Sequence, residues 1–186
     1  MARWLVMVLL ALVAQASPAA AAAWRVDPAR SSITVVFDQG GKPVTARFEG
    51  YRAEVAFDPK DLAASRVAIT VDLASFRSGD AQRDQMAIAA EFLAAGAAGR
   101  ARYVTKGFTS TGGDSYAVTA ELTLKGITQP LNHPVTILVK GGKAHAQGEV
   151  KLDRLAFGVG AGQFQRGDQV GLTVLVRFDL TAKLGG

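Results

Sequence analysis

Two charged pairs of sequence neighbours, Arg83-Asp84 and Asp153-Arg154, are the residues of this chain best suited to polar recognition. Arginine can hold a phosphate or a carboxylate through two parallel hydrogen bonds, because its guanidinium is a planar fork of donors. One interpretation places Arg83, Asp84 and Arg154 at the mouth of a cavity, where they contact the head group of a ligand. The alternative is that ion pairs brace a helix against the body of the fold.

Patterns of catalytic and metal-binding residues do not occur in this sequence. The chain has no cysteine, which excludes disulfides, thiolate metal sites, covalently attached haem and cysteine nucleophiles. Its two histidines, His133 and His145, form no closely spaced ligand cluster, and their local patterns predict that both lie on the surface. The glycine-rich segment 158–162 lacks the following helix that a nucleotide-binding loop requires. We therefore predict no catalytic residue, no metal and no enzymatic activity.

The elements that would position these residues are mostly strands. Apolar residues recur at every second position, which is typical of strands with one buried face. About three such strands precede residue 79 and about five follow residue 100, including 116–124, 135–139, 146–152 and 170–180. The parity of the apolar positions changes around Gly50, which predicts a bulge or a sharp bend there.

One segment has a different period. Residues 79–93 place Met86, Ile88 and Phe92 at helical spacing, which predicts a helix, and the Ala/Gly-rich stretch 94–99 predicts a loop. Eight antiparallel strands can close into a barrel without unpaired edges, and a barrel of this size can enclose one small ligand. The predicted fold is therefore mainly β, an eight-stranded antiparallel barrel with one helix beside it. A two-layer sandwich with a filled core is the alternative.

A hollow barrel would be lined by the large apolar residues of its inner face. The candidates for such an apolar tunnel are Ile33, Val35, Phe37, Phe48, Phe57, Phe92, Phe108, Leu122, Phe157, Phe164, Val174 and Val176. The same residues would form an ordinary packed core if the barrel were filled. The sequence alone does not separate these two interpretations.

The first 23 residues predict a secretory signal peptide. Arg3 gives a positive start, Trp4 to Val13 is an uncharged apolar run, and alanine-rich small residues follow. The run is shorter than the roughly 20 residues that span a bilayer. We expect cleavage near Ala22 or Ala23, which leaves one domain, 24–186, in the periplasm or outside the cell. An uncleaved anchor is the alternative.

The charge distribution argues against a nucleic-acid partner. Lys and Arg number 21 against 16 Asp and Glu, a formal net charge of +5, and the basic residues are scattered along the chain. The aromatic residues lie within alternating apolar patterns rather than beside basic clusters, as a stacking platform for bases would need.

An ordered series of short motifs resembles the YceI-like family, the polyisoprenoid-binding domain. The motifs are Trp24-Arg25-Val26-Asp27-Pro28, Phe57-Asp58-Pro59, Arg83-Asp84, Glu91-Phe92-Leu93, Ala101-Arg102-Tyr103-Val104, Leu122-Thr123-Leu124-Lys125-Gly126-Ile127-Thr128-Gln129-Pro130, Asp153-Arg154 and Phe157-Gly158-Val159-Gly160. The resemblance implies a lipocalin-like eight-stranded barrel whose members bind long isoprenoid or other lipid chains in an apolar tunnel. The proline usually found before the Ala101-Arg102-Tyr103 strand is missing here.

The resemblance leads to two functional hypotheses. The first is an exported protein that sequesters or transports a polyisoprenoid, an isoprenoid quinone or a polyprenyl phosphate, held non-covalently and without a cofactor. The second is an accessory partner of a membrane b-type cytochrome in a redox or stress-response system. A homodimer is also compatible with the family.

Overall fold

The structure is a computed structural model that describes residues 21–185, so most of the predicted signal peptide lies outside the described residues. Eleven strands and two α-helices follow one another within these described residues. They are β1 (Ala23–Val26), β2 (Ser32–Gln39), β3 (Lys42–Phe48), β4 (Tyr51–Ala56), β5 (Arg66–Asp72), β6 (Phe76–Arg77), α1 (Ala81–Ile88), α2 (Ala95–Ala98), β7 (Arg100–Gly112), β8 (Ser115–Leu124), β9 (Ile127–Lys140), β10 (Lys143–Asp153) and β11 (Val170–Leu184).

Eight of the strands close into an antiparallel barrel, in the order β1-β4-β5-β7-β8-β9-β10-β11, and β11 pairs back with β1. The extra strands β2, β3 and β6 continue the barrel positions of β1, β4 and β5, respectively. Both β1 and β2 pair with β11, β3 pairs with β2 and β6, and β4 pairs with β1 and β5. Three interrupted barrel positions thus precede the helix and five continuous strands follow it. The predicted mainly β fold with an eight-stranded barrel is confirmed.

The bend predicted at Gly50 is the break between β3 and β4. The Gly50 carbonyl accepts a hydrogen bond from the backbone N–H of Asp72 at 2.8 Å. A Cβ at position 50 would lie 3.1 Å from Cβ of Ser75 and 3.2 Å from Cβ of Asp72. Glycine therefore allows the chain to cross the short 3₁₀ turn Leu73–Ser75, which separates β5 from β6.

The helical region differs from its prediction in two ways. The helix α1 begins after Asp80, whose side chain accepts a hydrogen bond from the backbone N–H of Arg83, and it ends at Ile88 rather than near residue 93. The residues that follow form turns that bring Phe92 into the core, where it is 8% exposed. The predicted loop 94–99 contains the short helix α2, because alanine favours helical backbone even where glycine is abundant.

Buried apolar side chains form three clusters in the described part of the chain. The first contains Trp24, Phe57 and Tyr116 near β1, which we call the β1 end of the barrel. The second contains Val35, Ala46 and Phe76 and packs against Ala87 and Ile88 of α1, at what we call the helix end. The third joins Phe92 to Phe157 and Val159, next to the 3₁₀ turn Arg154–Phe157.

Candidate binding cavity

A cavity of about 310 Å³ runs through the barrel from the β1 end to the helix end. Its wall extends from Trp24 and Ala182 to Arg83 and Met86 of α1, and apolar side chains make up most of it. Along β11 the inward residues from Val174 to Ala182 cover eight residue steps, which is about 26 Å of strand. The volume lies at the lower end of the roughly 300–1,000 Å³ range of small-molecule sites.

The structure brings together most of the predicted tunnel residues. Eleven of the twelve line the cavity: Ile33, Val35, Phe37, Phe48, Phe57, Phe92, Phe108, Leu122, Phe157, Val174 and Val176. The exception is Phe164, which is not part of the wall and packs its ring on that of Phe92 with 5.0 Å between ring centroids. Placement on the wall leaves their contact with a ligand a prediction.

Asp84, predicted as a head-group residue, does not border the cavity. Its Oδ1 accepts hydrogen bonds from the backbone N–H of Ser78 at 2.7 Å and from the Ser78 hydroxyl at 2.6 Å. The Ser78 hydroxyl bond lowers the pKa of the Asp84 carboxyl, against a smaller opposing effect of burial. Neighbouring residues on a helix do not share a face, so Asp84 stabilises the turn before α1 while Arg83 reaches the cavity.

Arg154 borders the cavity, but every donor of its guanidinium is already used. The side chain is 3% exposed and donates five hydrogen bonds to backbone carbonyls. The acceptors are Gly171 at 2.9 Å, Val159 at 2.7 Å, Gly160 at 3.0 Å, Val170 at 2.8 Å and Phe164. Burial lowers the pKa of Arg154 and Asp153 partly opposes this, yet an arginine stays protonated in proteins. These contacts favour the bracing interpretation, with carbonyl oxygens as partners instead of carboxylates.

Arg83 is different, because part of its guanidinium is free to contact a ligand. Its Nε donates to Oε1 of Gln39 at 2.7 Å and its Nη1 to the hydroxyl of Ser78 at 3.3 Å. Nη2 donates to no oxygen among residues 21–185. Arg83 and Gln39 both border the cavity at the helix end, so a head group there would meet a half-buried cation.

Comparison with known proteins identifies the family. The family model of the YceI-like domain matches residues 24–182, which is nearly the whole described part of the chain. The chain belongs to the YceI-like family. The crystal structure of BcnA from Burkholderia cenocepacia is 30% identical, has a TM-score of 0.81 and aligns over 84% of this chain and 99% of its own.

Other relatives of this YceI-like domain match it in structure or in sequence. A polyisoprenoid-binding domain from Saccharophagus degradans, implicated in plant cell wall breakdown, has a TM-score of 0.72 at 16% identity and aligns over 88% of this chain and 99% of its own. Protein YceI of Escherichia coli O157:H7 is 32% identical over 117 residues, 56% of this chain and 59% of its own. The chain spans about half the length of the curated relatives it matches, from 47% to 59%.

The YceI-like barrel holds a polar pair that the sequence analysis missed. His133 is 7% exposed, and its Nε2 lies 2.8 Å from the hydroxyl of Tyr103. Both side chains border the cavity. Burial lowers the pKa of His133, with partial opposition from its contact with the Pro134 carbonyl, and burial raises the pKa of Tyr103. Both groups are therefore neutral at pH 7.

The prediction that His133 lies on the surface is wrong because β9 begins at Ile127, well before the predicted start at Val135. His133 then has the same inward parity as Val135 and Ile137. Pro134 fits within the strand because β9 pairs with β10 only from Thr136 onward, so its missing N–H interrupts no ladder on that side. The side chain of His145 is 43% exposed, in line with its prediction, and its Nε2 lies 2.8 Å from Oδ1 of Asp179.

Two further searches cover the described part of this YceI-like domain. No group of three or more His, Asp or Glu side chains in residues 21–185 is arranged to hold a metal ion. Neither α-helix in this range has the length and apolar character needed to span a bilayer.

Proposed function

We propose that this protein is an exported carrier that binds a long apolar lipid, an isoprenoid chain, inside the barrel. The observation that carries the proposal is the continuous apolar cavity, built from the inward side chains of the barrel strands and of the helical segment. The YceI-like family and the shared fold of a polyisoprenoid-binding domain support it. The cavity wall also favours binding over catalysis, because its buried arginine, Arg154, donates all its hydrogen bonds to backbone carbonyls.

Burial of an apolar chain provides enough binding free energy for this function without a specific motif of polar residues. Burying hydrocarbon contributes about 0.8 kcal/mol per CH₂ group, so a twenty-carbon chain would gain roughly 16 kcal/mol before other costs. Association and ordering of the ligand oppose this by about 4–15 kcal/mol. Shape and apolar lining therefore provide the affinity, and a few polar contacts determine which head group is accepted.

Extraction of the natively expressed protein tests the proposal. Mass spectrometry of an organic-solvent extract is expected to find one isoprenoid, quinone or other long-chain species in stoichiometric amount. A clean extract, together with no uptake of geranylgeraniol or squalene from detergent solution, would show that the barrel is not a lipid carrier. The cytochrome partnership and the homodimer stay predictions of the family resemblance.

Arg83 is expected to hold an anionic head group at the helix end. Replacing it by alanine should weaken binding of farnesyl phosphate about tenfold or more, because a hydrogen bond to a charged group is worth about 1.5–3 kcal/mol. Binding of farnesol should change much less. Competition against a fluorescent fatty acid would measure both. An equal loss for the phosphate and the alcohol would instead assign Arg83 to bracing α1 against Gln39.

The hydrogen bonds at the start of β1 shift the expected cleavage position, placed near Ala22 or Ala23 from the sequence, to a bond before Ala22. The Ala22 carbonyl accepts a hydrogen bond from the backbone N–H of Phe57 at 2.9 Å, and the Ala23 carbonyl accepts one from Gly185 at 2.8 Å. Cleavage after Ala23 would remove both acceptors and the first residue of β1. Intact mass spectrometry of the exported protein should therefore show an N-terminus at Ala22 or earlier. A mature chain starting at Trp24 would contradict this.

A further inference from the structure

The pair formed by Tyr103 and His133 is the polar feature in the middle of the apolar wall. The other polar side chains of the wall already make hydrogen bonds to the backbone or lie at one end of the cavity. Thr105 exchanges hydrogen bonds with the backbone of Val67 at 2.8 and 3.4 Å, Arg154 is held by carbonyls, and Arg83 lies at the helix end. The pair thus offers the described cavity a hydrogen-bonding group away from its ends.

The direction of the hydrogen bonds within the pair follows from its neighbours. Nδ1 of His133 lies 3.1 Å from the carbonyl oxygen of Pro134, which can only accept, so Nδ1 carries the proton. Nε2 of the neutral ring is then an acceptor, and the hydroxyl of Tyr103 must donate to it across 2.8 Å. The only capacity left on the pair is the oxygen lone pair of Tyr103, which accepts and cannot donate.

The surrounding packing fixes this arrangement. The ring of Phe178 meets that of His133 edge-on, with 6.0 Å between the ring centroids. Phe178 can take this position because residue 148, its partner on β10, is glycine, and a Cβ there would collide with Cζ of Phe178. Between Tyr103 on β7 and His133 on β9 runs β8, whose inward Ala120 has a small side chain that lets the two rings meet.

We propose that Tyr103 and His133 form an acceptor-only recognition site that selects lipids bearing a hydroxyl group, such as a prenyl alcohol or a hydroquinone, over ethers, carbonyls and other lipids without a donor. This inference rests on the proposed lipid-binding function and adds the chemical class of the ligand. A ligand hydroxyl can donate to the Tyr103 oxygen without disturbing the pair. A carbonyl could bond only if Tyr103 turned its proton away from His133, which would leave a buried nitrogen unsatisfied.

Two ligands that differ in the hydroxyl donor and in one methyl group test the proposal: geranylgeraniol and its methyl ether. The wild-type full chain should bind the alcohol about tenfold more tightly, the effect of one neutral hydrogen bond in a desolvated site. Tyr103→Phe alone frees the Nε2 acceptor of His133, so the variant that removes both acceptors is Tyr103→Phe combined with His133→Leu, which should bind both ligands equally, with the loss confined to the alcohol. The matched control is Thr105→Val, which removes a cavity hydroxyl already committed to the backbone and should retain the preference for the alcohol.

A second variant produces an effect that a merely structural pair would not. In His133→Leu the hydroxyl of Tyr103 loses its acceptor and becomes free to donate to a ligand. The affinity for geranylgeranial, the aldehyde, should then rise about tenfold relative to that for the alcohol. An alcohol preference that survives the combined substitutions Tyr103→Phe and His133→Leu, or an aldehyde-to-alcohol ratio unchanged by His133→Leu alone, would overturn the proposal.

The outcomes separate this inference from the proposed function. A wild-type protein that binds the alcohol and the ether with equal affinity is still a lipid carrier, but it has no hydroxyl selection. A wild-type protein that binds neither of them, nor the hydrocarbon squalene, contradicts the carrier function itself. Thermal unfolding of each variant, followed by circular dichroism, verifies that the compared proteins are folded.

Discussion

Replacing Val174 by arginine is expected to abolish lipid binding, with at least a 100-fold loss of affinity for geranylgeraniol. Val174 lies on the cavity wall in β11, in register with Leu152 and Phe37 on either side. A lipid that entered past the new side chain would have to strip water from an unpaired guanidinium, which costs several kcal/mol. The measurement is retention of lipid through purification, followed by uptake from detergent solution.

The matched control for this variant is Thr173→Arg. Thr173 is the preceding residue of the same strand, and its side chain is exposed on the outside of the barrel. The control should keep both its lipid and its stability. A third variant, Val174→Phe, adds bulk without charge and should reduce the uptake of long chains in a protein that still folds. A folded Val174→Arg protein that retains its lipid would show that the ligand does not occupy this cavity.

The wall of the cavity could be predicted from sequence because alternation in a strand states which residues share a face. Ile33, Val35 and Phe37 are read in this way from five consecutive letters, and all three face the cavity. Breaks that change the parity are harder to predict. The sequence shows the break at Gly50, and Gly107 lies at the bulge that turns Phe108 to the same face as Tyr103, but a single glycine does not state which residue of the strand is the extra one.

The polar contacts were less predictable, for a physical reason. Arg154 finds its partners among backbone carbonyls, which every residue has, so no side chain in the sequence reveals them. The inward position of His133 was not predicted because Pro130 and Pro134 break the usual sequence pattern of a central strand. Both prolines lie on the outward face of β9. The apolar lining of the cavity can therefore be predicted from the periodicity of the sequence. The polar contacts depend on which strands meet when the barrel closes.

The second large effect concerns stability: Arg154→Ala is expected to lower the free energy of unfolding by about 3–5 kcal/mol. The substitution leaves five carbonyl acceptors without their donor, two of them buried and three part-buried, and each unsatisfied buried group costs about 1–3 kcal/mol before the structure relaxes. Lysine keeps the charge but has three donors on one atom, so Arg154→Lys should recover only part of the loss.

Chemical denaturation would measure these changes, and Arg177→Ala is the control. Arg177 donates to Glu149 at 2.7 Å on the exposed surface, where an ion pair contributes about 0–1 kcal/mol. Gly160→Ala tests the same contacts by changing the backbone segment around the guanidinium instead of the arginine. A Cβ at position 160 would lie 2.6 Å from Nη1 of Arg154, at a backbone φ of +63°. If bracing is the role of Arg154, its variants lose affinity for farnesyl phosphate and farnesol equally. An Arg154→Ala protein as stable as the control, with a selective loss of the phosphate, would restore Arg154 as a head-group ligand.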